Sequence, residues 1–190
     1  MKRSKNLEII QNVLFRTSAY FSRMSEHPPA LRDHFLSFGM PLILVGAVGR
    51  MIRVMSQHLD TEAPLRGDQL AGVFMISLTG FILAVWMGGL LLARLSRAFG
   101  GSGDREGTLL LSISAFTPFM LSQPLAALHP MMGPLSFLGM IFTVWLFGKG
   151  VGPVLNMPGH KVIGFTLLAF FIFFGITSLT QLILSALFIP

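Results

Sequence analysis

Between Gly107 and Pro134 the chain runs GTLLLSISAFTPFMLSQPLAALHPMMGP. This stretch is apolar enough to cross a bilayer, yet it carries Pro118 and Pro124 and ends at Pro130 and Pro134. A proline inside a helix removes one backbone donor and presses on the carbonyl four residues earlier. Here the carbonyls of Ser114 and Met120 would lose their partners. In hydrocarbon such a break survives only where neighbouring helices, hydroxyl side chains or water supply a substitute. Thr117, Ser122 and Gln123 stand close enough in sequence to help. The segment is therefore expected inside a bundle, with other apolar spans packed around it.

Composition agrees. The chain has 190 residues, 53% of them hydrophobic and only 12% charged, with a mean hydropathy of +0.71. Soluble domains carry about 25% charged residues, so an integral membrane protein of one domain is indicated. The absence of cysteine excludes disulfides, thiol catalysis, iron–sulfur clusters and cysteine zinc sites. The net charge of +6 fits basic loops held against anionic headgroups rather than nucleic acid as partner. With no continuous apolar run before Leu31, no cleavable signal peptide is expected.

Residues 1–33 are expected to form a cytoplasmic amphipathic segment. Within a helix over 5–24, Leu7, Ile10, Leu14 and Phe21 share one face, while Lys5, Asn12, Arg16 and Arg23 share the other. Lys5, Arg16 and Arg23 would then touch an anionic membrane surface. The competing placement is a helix packed on the protein's own cytoplasmic face. Glu26-His27-Pro28-Pro29 turns the chain. The fold expected for 34–190 is an all-α bundle of five transmembrane helices, at about 35–55, 70–93, 108–129, 134–155 and 162–189. Eleven basic residues fall on the side of the N-terminus and three (Arg50, Arg53 and Arg66) on the other, which puts the N-terminus inside and the C-terminus outside.

On span two, Gly80, Ala84 and Gly88 recur every four residues, a seam that lets another helix approach closely. With Pro118 and Pro124 they are the expected packing positions. Span five carries Thr177, Ser178, Thr180 and Gln181 in an otherwise Phe- and Leu-rich helix, and these would bond inward. All eight carboxylates fall outside the spans, against the intramembrane acid that marks a proton relay. Arg50 and Arg53, within an apolar segment, could hold a lipid phosphate or another anion, though both can also snorkel to headgroups. Lys149 lies in Gly148-Lys149-Gly150-Val151-Gly152 without the spacing of a phosphate loop. There the glycines and Pro153 are expected to unwind the end of span four, leaving Lys149 a possible lipid or anion contact. Gly100-Gly101-Ser102-Gly103-Asp104 is expected to be a flexible linker. His58, Asp60, Glu62 and Asp68 share a loop where a divalent cation is imaginable, but a solvated acidic loop is the simpler reading. No metal site, cofactor or catalytic residue is expected.

Laid out this way, the chain resembles a bacterial member of the Yip1 family of five-span membrane proteins. The Gly100–Gly103 turn running into LLLSISAFTPFML carries the most specific part, with Phe116 and Pro118 at the family's aromatic and proline positions in span three. WLFGKGVGPVLNMPGHKVIGF is similar to the family's fourth span, basic loop and start of the fifth. The Asp-Leu-Tyr-Gly-Pro type motif of eukaryotic members, and their extended cytoplasmic N-terminal region, are absent. Their link to Rab GTPases and vesicle traffic is therefore not carried over. The resemblance implies a multi-pass protein of a bacterial cytoplasmic (inner) membrane.

The function expected is a non-enzymatic interaction or accessory subunit, or a membrane-organising protein. Its partners would be membrane lipids and other integral membrane proteins or further copies of itself. The alternative is a passive lipid or small-solute conduit through the proline-broken third helix.

Overall fold

The structure, a computed structural model, describes residues 5–58 and 66–188. Asp60 and Glu62 of the imagined cation site lie outside the described residues, as do the side chains of Lys5, His58, Thr180 and Gln181. Among the described residues there is no strand. Two short helices, α1 (Lys5–Phe15) and α2 (Thr17–Glu26), are followed by α3 (Leu31–His34), a π-helical turn (Phe35–Gly39) and α4 (Met40–His58). Next come α5 (Gly67–Ala98), α6 (Arg105–Ala115), α7 (Thr117–Ala127), α8 (Pro134–Leu155) and α9 (Gly159–Phe188). Five helical stretches among the described residues are long and apolar enough to cross a membrane. They run over Leu31–Gln57, Gly67–Ala98, Arg105–Ala127, Pro134–Leu155 and Gly159–Leu179.

The broken span occupies the centre. In its most apolar window 83% of residues are buried, against 22% to 50% in the other four. α6 packs on α5 and α8, and α7 on α4 and α8, while α9 closes the ring between α5 and α8. Proline chemistry sets the break. The chain leaves α6 at Phe116, and Pro118 falls in the first turn of α7, where a missing N–H leaves nothing unsatisfied. The Thr117 hydroxyl donates to the Ser114 carbonyl at 2.7 Å, replacing the partner that Pro118 removes. Ser122 and Gln123 both donate to the Phe119 carbonyl, at 2.7 and 3.3 Å. Phe116 then sits at a junction of aromatic rings, with its centroid 4.8 Å from that of Phe173 on α9 and 6.2 Å from that of Phe119.

Two links differ from their sequence expectation. The glycine-rich link after α5 is a built turn. Gly100 and Gly103 have φ of 82° and 66°, a region that glycine enters freely. Gly101 N–H donates to Ser96 O at 2.8 Å, Ser102 N–H to Leu155 O at 2.7 Å, and Asp104 caps α6 by accepting from Glu106 N–H and Gly107 N–H. The Gly148–Gly152 stretch stays helical to Leu155, and α8 ends only where Asn156 turns left-handed at φ 52°. Gly150 is there for close approach: a Cβ would overlap Leu111 and stand 3.1 Å from the Phe21 ring.

Candidate functional site

Phe21 reaches Gly150 because the N-terminal segment is wedged into the bundle. The helix bends at Arg16 (φ −125°, ψ 39°), and α2 packs on α8 with Thr17, Phe21 and Met24 buried. Of the two placements open from sequence, the structure shows this face of α2 on protein. From α2, Tyr20 Oη stands 3.1 Å from Ser114 Oγ, and His34 Nε2 approaches the same oxygen at 3.2 Å. A serine hydroxyl offers one donor and two acceptor positions, so it can serve both neighbours at once. Burial pushes the Tyr20 phenol up to about 12, only partly offset by its Ser114 bond, and it stays protonated near neutrality.

Ser114 lies nine residues into the span that begins at Arg105, about 14 Å along the axis at 1.5 Å per residue. Above the cluster a groove of about 530 Å³ opens between α1–α2 and the start of span one. Asn12, Arg16, Arg23, Asp33 and Ser37 are in its wall. A serine beside a histidine is the beginning of a nucleophile–base pair. Ser114 is nevertheless fully buried, and Tyr20 holds its other side. The geometry is that of a satisfied buried network, which fixes α2 against spans one and three.

The other residues singled out from sequence are scattered. Gly80, Ala84 and Gly88 are buried on α5, and at Gly88 a Cβ would stand 2.5 Å from the Phe173 ring, so α9 of the same chain fills that part of the seam. Pro118 and Pro124 are buried or half-buried in α7, with Pro124 pressed against Gly49 of α4. Arg53 Nη1 donates to Ser136 Oγ at 3.1 Å and so ties span one to the start of span four. Arg50 is half-buried one turn earlier. Lys149 is exposed on α8, its ammonium 5.7 Å from the centroid of the Trp145 ring. Arg16 and Arg23 are exposed and line the polar groove. Thr177 of span five is buried and bonds only to its own helix, at Phe173 O, while Ser178 is exposed. No group of three or more histidine or acidic side chains is placed to hold a metal among the described residues.

A family model for the Yip1 domain matches residues 12–180, which is most of the chain and touches all five apolar spans. The chain belongs to the Yip1 family. No curated protein and no solved structure matches it significantly. The matched region begins within α1, so the wedge formed by α2 belongs to the Yip1 domain itself.

Sequence reasoning missed Tyr20, His34 and Ser114, the residues that join this Yip1-family wedge to its core. Tyr20 is the chain's single tyrosine, the one signal that set it apart. Nothing in the sequence pairs it with Ser114, 94 residues away. Gly49 was also missed, because a glycine in a membrane helix declares its partner only when the facing helix is in place.

Proposed function

We propose that this Yip1-family protein is a non-enzymatic accessory or membrane-organising component that holds another membrane protein, a second copy of itself or lipid against its side. The observation behind this reading is where the concave surfaces lie. The broken span at the centre of the bundle is closely packed, with 83% of the residues in its most apolar window buried. Among the described residues large concavities lie on the outside, polar ones beside α1 and α2 and an apolar one between α8 and α9. Tight packing around α7, with the Ser122 hydroxyl and the Gln123 amide both donating to their own helix, speaks against the alternative of a conduit through span three. The excess of basic residues on the side of the N-terminus supports an N-terminus in the cytosol of a bacterial cell and a C-terminus outside.

Purification in mild detergent followed by mass spectrometry tests the reading, with recovery of a stoichiometric partner or a defined oligomer as the expected result. A lone monodisperse monomer across several detergents, together with bilayers unaltered by the protein, overturns it. Reporter fusions at the two ends test the orientation, which fails if both report the same side.

A further inference from the structure

The cleft between α8 and α9 has about 660 Å³ of space and opens sideways. Its walls are apolar: Ile141, Val144 and Trp145 on α8 face Val162, Ile163, Leu167 and Phe170 on α9. Thr166 also lines it, but its hydroxyl is spent on Val162 O at 2.7 Å. The one charged group in the wall is Lys149, at the end nearest the α8–α9 link, and Lys161 immediately precedes Val162 at the same end. No carboxylate lines the cleft.

Three features narrow what can fill it. From Ile141 to Lys149 is eight residues, about 12 Å along the helix, against about 15 Å for half of a hydrocarbon core. A partner's transmembrane helix would run on through both halves, beyond the cleft. The cleft is polarised like an amphiphile, greasy along its length and cationic at one end. With lysine present and no acid, it offers a phosphate a partner but gives nothing to a choline or ethanolamine ammonium. Trp145 under the Lys149 ammonium suits the boundary between chain and headgroup.

We propose that this cleft holds one anionic glycerophospholipid from the leaflet on the basic side, its acyl chain along Ile141 to Phe170 and its phosphate on Lys149. The site stands on the α8–α9 geometry alone and is independent of whether the protein binds a protein partner.

Native mass spectrometry of the full chain in detergent tests it, titrated separately with dioleoylphosphatidylglycerol, dioleoylphosphatidylcholine and inorganic phosphate. One phosphatidylglycerol should be retained in clear preference to phosphatidylcholine. Lys149→Gln should weaken phosphatidylglycerol about five-fold, equivalent to the ~1 kcal/mol of one lysine near a headgroup. Ile163→Trp, which fills the cleft from an exposed position, should weaken both lipids. Arg66→Gln, an exposed position at the opposite end of the bundle, should change neither. Equal retention of the two lipids by the wild type, or a Lys149→Gln variant indistinguishable from it, overturns the site. Displacement of phosphatidylglycerol by inorganic phosphate would reduce it to a free-anion contact and overturn the lipid assignment.

Discussion

Substituting Gly49 by alanine tests how the central broken helix is held. A Cβ at that position would stand 2.6 Å from Pro124 Cδ and 2.7 Å from Pro124 Cα, and would overlap Pro124 N. Carbon atoms in contact prefer about 3.5–4.0 Å, so α4 and α7 would have to part by roughly 1 Å. Overpacking typically costs about 1–3 kcal/mol, and a gap of that size forfeits a quarter to a half of each affected contact. The obstruction is backbone and a fixed ring, with no rotamer to yield, so Gly49→Ala should fall at the upper end, about 3 kcal/mol. Gly46→Ala is the matched control on the same helix. There the new Cβ meets Met120 Sδ at 2.7 Å, the flexible part of an adaptable side chain, and about 1 kcal/mol is expected. Gly175→Ala, with nothing within 4 Å, should be neutral or gain up to about 1 kcal/mol from helix propensity. Thermal unfolding in mild detergent, followed by the fluorescence of Trp86 and Trp145, ranks the three. A Gly49→Ala protein as stable as wild type would refute the crossing of α4 and α7.

Further outcomes follow from single side chains. Because Tyr20 is the only tyrosine, phenolate absorbance reports on it alone and should titrate near 12 rather than 10 in the folded protein. Its folded value lies above its unfolded one, so its contribution of up to ~3 kcal/mol is fully present below pH 10 and fades between pH 10 and about 12. Tyr20→Phe should abolish that alkaline sensitivity, and an ordinary titration in the wild type would contradict the buried cluster. Thr143 Oγ1 is buried without a hydrogen-bond partner, so Thr143→Val should raise the melting temperature, by the equivalent of about 1 kcal/mol, and a loss of stability would reveal a missed partner. Asp104→Ala removes the cap of α6 and should cost about 1 kcal/mol, read as a lower melting temperature, while Asp104→Asn should retain most of it.

The five-span architecture was accessible from the residues because hydrocarbon imposes a one-dimensional rule: a span needs about 20 apolar residues, wherever its neighbours are. That rule sets the five spans, and proline's missing donor sets the break at Phe116–Pro118 and the need for Thr117 beside it. The same local logic failed at Gly148–Gly152. Glycine and proline favour unwinding in isolation, yet here Phe21 and Leu111 fill the space over Gly150 and the helix continues to Leu155. It failed again at Gly100–Gly103, where the expected linker is pinned by Leu155 O, an acceptor 53 residues further along.

The sequence thus determined which segments leave water and where the central one must break, since both depend on what each residue carries with it. Only the tertiary structure decided that the N-terminal helix wedges Tyr20 against Ser114 and His34, that Gly88 accommodates a ring of the same chain, and that α8 and α9 part to leave a lateral cleft with Lys149 at one end. Each of these depends on which helices become neighbours, and apolar side chains that all favour hydrocarbon equally do not encode that choice one residue at a time.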